Sequence, residues 1–358
     1  MRIVIATGGS GGHIFPALST AQELRNNHHD VFFLGAGGLM LEKIKQFGFP
    51  VEVLPAKGFS SRSGTAFVES VFAMAKSVKQ AFQSLTRIKP EVVVGFGGYG
   101  AFAAIFSAAI LRYPTFIHEQ NVIPGRANKI LSQFAGRIAI SFKESKKYFN
   151  AKKTILTGCP CHDHGPSITK EEIFFRFKLS PGKTTILVLG GSQGSRRINE
   201  VFLNAAQSLK KESDFQVIHI TGKNDYAYLK KGYLEADISC CVFDFLDDIE
   251  QAYKIADVAV SRAGALSIFE LAAFKLPAVL IPYPFAGGHQ KENARILGQA
   301  KMARIIEENE LTAEKLKKEV IRLINESTRR NFLDNSRIDF YFPDATKRLA
   351  GEIISLAR

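Results

Sequence analysis

The stretch Thr7-Gly8-Gly9-Ser10-Gly11-Gly12-His13-Ile14-Phe15-Pro16 decides the fold of this chain. It follows the apolar run Ile-Val-Ile-Ala at 3–6, which is typical of a buried parallel strand. Residues 17–24 then have a helical composition, with Pro16 in the first turn, where a missing N–H group costs nothing. Four glycines within five positions allow a tight turn, and the helix N-terminus adds partial positive charge. Strand, glycine loop and helix start therefore predict a phosphate-binding turn.

His13 is the one side chain of this loop that titrates near neutral pH, which makes it a candidate for moving a proton. Two alternatives stay open from the loop alone. A glycine-rich turn is sometimes only a close packing contact, and a single histidine there often caps a helix or sits in the core. The glycine spacing also departs from the G-x-G-x-x-G dinucleotide fingerprint, which disfavours an NAD-dependent oxidoreductase.

The composition narrows the class of protein. Lys and Arg number 47 against 34 Asp and Glu, which gives a net charge of +13. This balance favours a polyanionic partner, such as an anionic membrane surface or a phosphorylated substrate. We expect no nucleic-acid partner, because the chain has neither an RNP-type aromatic motif nor a zinc-finger spacing. The longest apolar run, 101–111, is too short to span a bilayer, and glycines follow the first strand at once, so we expect no signal peptide.

We expect no metal and no cofactor. The chain has no Asp-x-Asp pair, so backbone N–H groups and neutral side chains are expected to carry the charge of a bound diphosphate. The segment Cys159-Pro160-Cys161-His162-Asp163-His164 has metal-ligand residue types, but its spacing matches no usual structural zinc site. The four cysteines do not form a disulfide framework.

Strand–helix alternation runs through two halves of the chain. Apolar strand candidates lie at 2–6, 31–34, 51–54, 92–94, 115–117 and 137–140, and again at 185–189, 216–220, 242–243, 258–260 and 278–281. This alternation predicts an α/β fold with two doubly wound parallel sheets, joined near 160–167. Two further glycine loops, at 95–100 and 190–194, also follow apolar strands. Since ligands of such sheets bind at the carboxyl ends of strands, we expect one cleft between the two domains.

Polar residues at other strand ends are typical of sugar and nucleotide recognition. His118-Glu119-Gln120-Asn121 follows the strand at 115–117 and suits sugar hydroxyls, with helix capping before Pro124 as the alternative. The turn at Gly264–Ser267 is predicted to expose the N–H groups of a helix start. Glu270, one turn later, is placed to accept from a diol or to sit as a solvated first-turn carboxylate. Gln290 offers both a donor and an acceptor.

An amphipathic helix is predicted at 66–88. Its apolar residues Phe67, Val71, Met74, Val78, Phe82 and Leu85 recur at three- and four-residue spacing, with Lys76, Lys79, Arg87 and Lys89 nearby. Such a helix usually turns its apolar stripe to the core. The alternative is an interfacial helix on anionic lipid, bordered by the basic loop at 57–64.

Together these motifs resemble the MurG family, the peptidoglycan glycosyltransferases of glycosyltransferase family 28. The motifs that carry the resemblance run in order along the chain: 8–16, 95–99, 118–121, 190–194, 261–266, His289-Gln290 with Asn293, and Pro343-Asp344-Ala345. The resemblance implies the GT-B fold, with two Rossmann-like domains and a last helix that returns to the first. It places an N-terminal acceptor and membrane-facing domain at 1–161 plus 343–358, a linker at 162–165 and a donor domain at 166–342.

The resemblance also implies the reaction. The donor would be UDP-N-acetylglucosamine, and the acceptor would be lipid I, undecaprenyl-diphosphate-MurNAc-pentapeptide. The acceptor C4 hydroxyl would attack the anomeric carbon with inversion, giving the β-1,4-linked product lipid II and UDP. The protein is expected at the cytoplasmic face of the bacterial cell membrane, as a peripheral protein on the anionic leaflet.

Site residues carried over from the family fall on both domains. In the first, His13 is the candidate general base, Ser10, Gly11 and Gly12 contact the donor, and Asn121 holds a sugar hydroxyl. In the second, Ser192 binds a phosphate oxygen, Leu246 offers its backbone to uracil, Glu270 binds the ribose diol and Gln290 binds the sugar. The remaining predicted contacts are Ala265, Leu266, Ser267, Ile268 and Phe269, with Tyr99, Asn293 and His162 as further candidates.

One position departs from the family pattern. The family usually has Gly-Asn-Pro-Val-Arg after the last strand of the first domain, whereas this chain has Gly158-Cys159-Pro160-Cys161-His162. His162 replaces a planar, constantly charged arginine near the uracil. We expect weaker or more pH-dependent donor binding, with activity retained.

Three other functions stay open at this point. A different GT-B enzyme with the same donor type, either a glycolipid glycosyltransferase or a UDP-N-acetylglucosamine 2-epimerase, would differ in its acceptor. An oxidoreductase would show cofactor absorbance. A catalytically silent sugar-nucleotide-binding scaffold would bind the donor without turnover.

Overall fold

The computed structural model describes residues 1–9, 11–35, 37, 39–55, 64–161, 168–327 and 338–357. The chain divides into two compact units, which are described separately. Unit 1 comprises Met1–Cys161 and Phe342–Arg358, and unit 2 comprises His162–Tyr341. The predicted linker at 162–165 lies outside the described residues, so the predicted domain boundaries stay a prediction.

Unit 1 is built on a seven-stranded parallel sheet with the order β3-β2-β1-β4-β5-β6-β7. Its strands are β1 (Arg2–Ala6), β2 (Asp30–Gly35), β3 (Val51–Val53), β4 (Val92–Gly95), β5 (Thr115–Glu119), β6 (Arg137–Ile140) and β7 (Thr154–Leu156). Ile3, Val4 and Ile5 are fully buried, as are Val92–Val94, because helices cover both faces of the sheet.

In the described residues of this unit, the sheet is accompanied by α1 (Gly11–Asn26), α2 (Leu39–Gln46), α3 (Gly64–Ile88), α4 (Gly98–Ile110), α5 (Arg126–Leu131) and, from the end of the chain, α13 (Ala345–Ala357). A short 3-10 helix spans Lys143–Tyr148. Helix α13 packs against α1, and Arg137 Nη1 donates to Glu352 Oε2 at 2.6 Å. The last helix of the chain therefore belongs to the first unit.

Unit 2 is built on a six-stranded parallel sheet with the order β10-β9-β8-β11-β12-β13. The strands are β8 (Thr184–Leu189), β9 (Phe215–Ile220), β10 (Cys240–Phe243), β11 (Val258–Ser261), β12 (Ala278–Leu280) and β13 (Ala303–Ile305). The helices are α6 (Lys170–Phe177), α7 (Arg196–Leu209), α8 (Tyr226–Glu235), α9 (Ile249–Ile255), α10 (Ala265–Ala273), α11 (His289–Gln299) and α12 (Ala313–Ser327), with a short 3-10 helix at Glu308–Glu310.

Both sheets follow the Rossmann strand order. Numbered along each unit, the strands lie side by side in the order 3-2-1-4-5-6, and unit 1 adds a seventh strand at the edge. The prediction of two doubly wound α/β domains is confirmed. In each unit the strand order reverses between the first and fourth strands, β1 and β4 in unit 1 and β8 and β11 in unit 2. Loops after these strands occupy the switch point, where ligands of open parallel sheets bind.

Helix α3 differs from the predicted single apolar stripe. Small residues of α3, including Ser77 and Ala81, are fully buried together with Leu85. Phe67, Val71 and Phe82 were predicted on the same face as Met74 and Leu85, but they are 52%, 44% and 38% exposed. The small residues let α3 pack closely on α4, whereas Phe67, Val71 and Phe82 stay exposed. Among the described residues, no helix combines the length and apolar character needed to cross a membrane.

Candidate functional site

The glycine loop after β1 packs against the loop after β4 in unit 1. The Gly8 N–H group donates to the Gly97 carbonyl at 2.9 Å. A Cβ atom on Gly98, whose φ is +82°, would lie 2.7 Å from Gly8 Cα, so only glycine fits there. Gly12 differs, because it is exposed and a Cβ atom there would meet nothing within 4 Å. Part of the loop is thus a packing contact, Gly12 is open, and Ser10 lies outside the described residues.

His13 lies on the first turn of α1 and is half-buried. A Cβ atom on Gly97 would lie 3.0 Å from His13 Cδ2 and Nε2, and one on Gly8 would lie 3.5 Å from Nδ1. The imidazole therefore rests on the glycines of both loops, directly at the switch point between β1 and β4. This placement suits a group that acts on a ligand bound at the carboxyl edge of the sheet.

Three consecutive polar residues, the last two of β5 and the one that follows it, point into the protein. His118, Glu119 and Gln120 are 0%, 1% and 2% exposed. Gln120 Nε2 donates to the Phe96 carbonyl at 3.0 Å and contacts His118 Nδ1 at 3.1 Å. His118 Nε2 donates to the Gly158 carbonyl at 3.1 Å. Burial lowers the pKa of His118 to about 4, so its ring is neutral at pH 7. The prediction that this motif faces sugar hydroxyls is wrong for these three side chains.

Glu119 organises the segment that carries Asn121. Its Oε1 accepts from the Asn121 N–H group at 2.9 Å and from Asn121 Nδ2 at 3.1 Å. Its Oε2 accepts from the Gly125 N–H group at 3.0 Å and from Asn128 Nδ2 at 2.8 Å. Asn121 is half-buried and is the one member of the four-residue motif that retains surface. Tyr99, in the first turn of α4, is 39% exposed.

His162 lies outside the described residues, so its exchange for the family arginine stays a prediction. Cys159 and Cys161 are buried. Within the described part of the chain, no group of three or more His, Cys, Asp or Glu side chains is arranged to hold a metal ion.

In unit 2, the loop after β8 again combines packing glycines with open positions. A Cβ atom on Gly194, with φ +76°, would lie 2.0 Å from the Thr221 carbonyl oxygen, so this glycine is required by close packing. Ser192 in the same loop is exposed. Ser195 precedes α7 but does not cap it; its hydroxyl instead accepts from Arg262 Nη2 at 2.8 Å.

Arg262 contacts three loops of unit 2, those after β8, β12 and β13, from its own position after β11. It is 8% exposed, donates to the Ile281 carbonyl at 3.2 Å and forms an ion pair with Glu308. Its guanidinium carbon lies 5.2 Å from the centre of the Tyr283 ring. The sequence motif contained this arginine, but only the structure shows that it joins the loops after β8, β11 and β12.

The turn after β11 starts α10 without a side-chain cap, at Gly264. First-turn N–H groups of a helix lack partners within the helix, so this turn can bind an anion. Ala265 is buried, while Leu266 and Ser267 are half-buried. Ile268 and Phe269 are fully buried, so only their backbone could contact a ligand.

Glu270 points back to α9. Its Oε2 accepts from the Tyr253 hydroxyl at 2.9 Å, and the two residues are 9% and 2% exposed. Burial raises the pKa of Glu270 to about 8; the Tyr253 hydrogen bond opposes the rise, and the nearby Glu250 adds to it. Sequence reasoning found Glu270 but missed Tyr253, since nothing in the spacing of α9 and α10 marks the pair.

Gln290 uses its oxygen inside the protein. Its Oε1 accepts from the Tyr283 N–H group at 2.9 Å and from the Ala263 N–H group at 3.2 Å. This corrects the prediction that Gln290 offers both a donor and an acceptor, because only its NH₂ group stays open within the described residues. Asn293 is fully buried and donates to the Ala263 carbonyl at 3.2 Å, so its side chain supports the turn from inside. Leu246, between β10 and α9, is half-buried.

Each of the two units has a parallel sheet with the Rossmann strand order. This architecture is that of the glycosyltransferases with the GT-B fold. Models of protein families match residues 3–140 to the glycosyltransferase family 28 N-terminal domain and residues 185–349 to its C-terminal domain. The chain therefore belongs to glycosyltransferase family 28, in its MurG branch.

Individual relatives support this membership. The chain is 36% identical over 340 residues, 92% of each protein, to the UDP-N-acetylglucosamine–N-acetylmuramyl-(pentapeptide) pyrophosphoryl-undecaprenol N-acetylglucosamine transferase of Halothermothrix orenii. It is 36% identical over 358 residues to the Bacillus licheniformis protein of the same name, covering 98% and 97% of the two chains. The crystal structure of Acinetobacter baumannii MurG matches with a TM-score of 0.74 and 26% identity over 99% of this chain and 100% of that one.

Proposed function

We propose that the protein transfers N-acetylglucosamine from UDP-N-acetylglucosamine to undecaprenyl-diphosphate-MurNAc-pentapeptide, converting lipid I to lipid II in peptidoglycan synthesis. The observation that carries this proposal is the similarity to transferases of that name over almost the whole length of both chains. The two Rossmann-type sheets and their loops supply places for a nucleotide and an acceptor.

Most of the donor contacts are assigned to unit 2. Ser192 and the uncapped start of α10 would hold the diphosphate, because an exposed hydroxyl and unpaired N–H groups are donors to phosphate oxygens. Backbone groups at Leu246 would bind uracil, and Glu270 would accept from the ribose diol. Gln290 would donate its NH₂ hydrogens to a sugar oxygen, since its own oxygen is already bonded.

Proton transfer is assigned to His13 in unit 1. The acceptor C4 oxygen would form a bond to the anomeric carbon as the bond to the UDP oxygen breaks, which inverts the configuration. The C4 proton would pass to a neutral His13, and this requires a ring nitrogen within about 3 Å of that oxygen. Ser10, Gly11 and Gly12 would contact the donor from this loop, and Asn121 would hold a sugar hydroxyl.

Membrane docking is assigned to α3. Phe67, Val68, Val71 and Phe72 are 44–72% exposed, and the exposed Lys76 and Lys79 follow one to three turns later. An apolar surface bordered by lysines fits the headgroup region of an anionic leaflet, where each basic residue adds about 1 kcal/mol. We infer peripheral binding at the cytoplasmic face, where the lipid-anchored acceptor would be reached.

The test is transfer of labelled N-acetylglucosamine from its UDP donor to a lipid I analogue, with EDTA present. Product formation is the expected result and would also support a mechanism without a bound metal. Activity that appears only after magnesium addition would keep the function and exclude that mechanism. Binding of the donor without transfer would point to a different acceptor or to a silent scaffold.

The docking surface is tested separately with vesicles. Sedimentation with phosphatidylglycerol vesicles should be reduced by Phe72→Ser, while Phe175→Ser serves as the control because Phe175 is an 85% exposed aromatic of unit 2. Equal binding of both variants and the unchanged protein would contradict the assignment to α3.

A further inference from the structure

A buried contact between α9 and α10 fixes one oxygen of Glu270. The Tyr253 hydroxyl donates to Glu270 Oε2 at 2.9 Å. The Tyr253 ring is stacked on Phe274, which directly follows the last residue of α10, with centroids 5.4 Å apart and an interplanar angle of 19°. Since the ring is packed and the residue is 2% exposed, the hydroxyl has one fixed direction.

The other oxygen of Glu270 remains accessible. No described residue donates to Oε1 within hydrogen-bond distance. In the described part of the chain, the buried side-chain atoms without a partner are Asn128 Oδ1, Glu144 Oε2 and Glu250 Oε2. Within the residues described, Glu270 Oε1 has no hydrogen-bond partner and is not among these buried atoms, so it keeps contact with solvent. It lies in α10, the helix that follows β11 at the switch point.

We propose that Tyr253 is a positioning residue for donor binding: its hydroxyl holds Glu270 Oε2 inside the protein and thereby presents Oε1 to the ribose hydroxyls. This inference rests on the proposed function, because it takes a uridine nucleotide as the ligand of unit 2. A rotating carboxylate would have to be ordered upon binding, whereas one held by Tyr253 is already oriented.

Charge supports the same role. Ribose hydroxyls donate to a carboxylate, so binding requires the ionised form of Glu270. The ionisable groups that act on Glu270 are Tyr253 and Glu250, both on α9: the tyrosine hydrogen bond stabilises the carboxylate, and the glutamate opposes it. With a pKa of about 8 in the unliganded protein, Glu270 loses its proton as the pH rises from 7 to 9. UDP affinity should therefore increase over this range.

The experiment is calorimetric titration of the full chain with UDP and with 2′-deoxy-UDP between pH 6.5 and 9. The ratio of the two affinities isolates the 2′-hydroxyl, because titration of the phosphate affects both ligands equally. Tyr253→Phe should reduce this ratio about tenfold at pH 7.5, the effect of one unit of pKa, and should move its rise to higher pH. Tyr233→Phe is the matched control: it also removes a buried hydroxyl bond in unit 2, to His219 Nδ1 at 2.7 Å, and should leave the ratio unchanged.

A second variant tests the opposite direction. Glu250→Gln removes the negative neighbour and should move the rise of the ratio to lower pH. An unchanged ratio and pH profile in Tyr253→Phe, with UDP still bound by the unchanged protein, would overturn the inference and leave the proposed function intact. Failure of the unchanged protein to bind UDP would overturn both.

Discussion

Gln120 and Gln290 are the same residue type, each follows a parallel strand, and the structure uses them in opposite ways. Gln120 in unit 1 is 2% exposed, and its NH₂ group is hydrogen-bonded to the Phe96 carbonyl and to His118 Nδ1. Gln290 in unit 2 is half-buried, and its side-chain oxygen accepts hydrogen bonds from two backbone N–H groups. The NH₂ group of Gln120 is therefore already hydrogen-bonded inside the protein, whereas the NH₂ group of Gln290 remains available to a ligand.

The residue type and its position after a strand identify a candidate for ligand binding. Whether it can bind a ligand depends on which of its atoms already form hydrogen bonds inside the protein. Around Gln120, three consecutive side chains bond to one another or to backbone groups, and that segment is structural. Around Gln290, internal bonds orient the amide and leave one side of it for a ligand.

The largest effect is expected at His13. Because His118 is neutral, buried and bonded on both ring nitrogens, it cannot serve as the base, and proton transfer in unit 1 is assigned to His13. His13→Ala should lower kcat about 10²- to 10⁴-fold, the usual contribution of a general base. The KM for UDP-N-acetylglucosamine should stay nearly constant, since the imidazole of His13 is assigned to proton transfer and to no donor contact. Steady-state kinetics with a lipid I analogue provides both values.

His28→Asn is the matched control for that variant. His28 is exposed two residues after the end of the same helix, and asparagine tolerates its φ of +61°. Full activity in His28→Asn and in His13→Ala alike would remove His13 from the mechanism.

Glu119→Gln should give the largest loss of stability. The carboxylate accepts four hydrogen bonds, two on each oxygen. A glutamine would turn its NH₂ group towards two of these donors, and we expect a cost of about 3 kcal/mol in the free energy of unfolding. Thermal unfolding measures this loss. Glu235→Gln, which breaks only an exposed pair with Lys231, should change the midpoint little; equal midpoints for the two variants would contradict a structural role of the β5 segment.

Sequence alone predicted most of the fold, because long apolar runs mark buried parallel strands. It missed β7 and β13, which are three-residue strands with half-buried or exposed positions and no apolar run. It placed polar residues at the correct strand ends, yet it could not show that His118 points inward or that Gln290 Oε1 is occupied. Those facts depend on partners such as Gly158 and Tyr283, which the topology brings close. Tyr253 and Arg262 were missed as site residues for the same reason.

Acid should destabilise both units through one buried histidine each. Burial lowers the pKa of His118 in unit 1 to about 4 and that of His219 in unit 2 to about 3. The unfolded chain binds these protons near pH 6.5 and the folded protein does not, so stability is full above pH 6.5 and is lost as the pH falls towards 4. At pH 5 the loss is about 2 kcal/mol for each group. Unfolding midpoints at pH 7.5, 6.5, 5.5 and 4.5 measure it, and His118→Gln should flatten the dependence; an identical slope in that variant would contradict the assignment.

The smallest effect, and the most direct test of the comparison, is the same substitution at both glutamines. Gln290→Glu keeps an oxygen for the Ala263 and Tyr283 N–H groups but removes the two hydrogens proposed to reach the sugar. Its unfolding midpoint should hold while the KM for UDP-N-acetylglucosamine rises about tenfold, the value of one hydrogen bond to a ligand together with repulsion of the diphosphate. Gln120→Glu should behave conversely, because an acceptor would then face the Phe96 carbonyl and His118 Nδ1: the unfolding midpoint falls, and the donor KM of the folded fraction is unchanged. A rise in donor KM in Gln120→Glu, or a loss of stability in Gln290→Glu, would mean that the internal bonds do not determine which amide is left for the ligand.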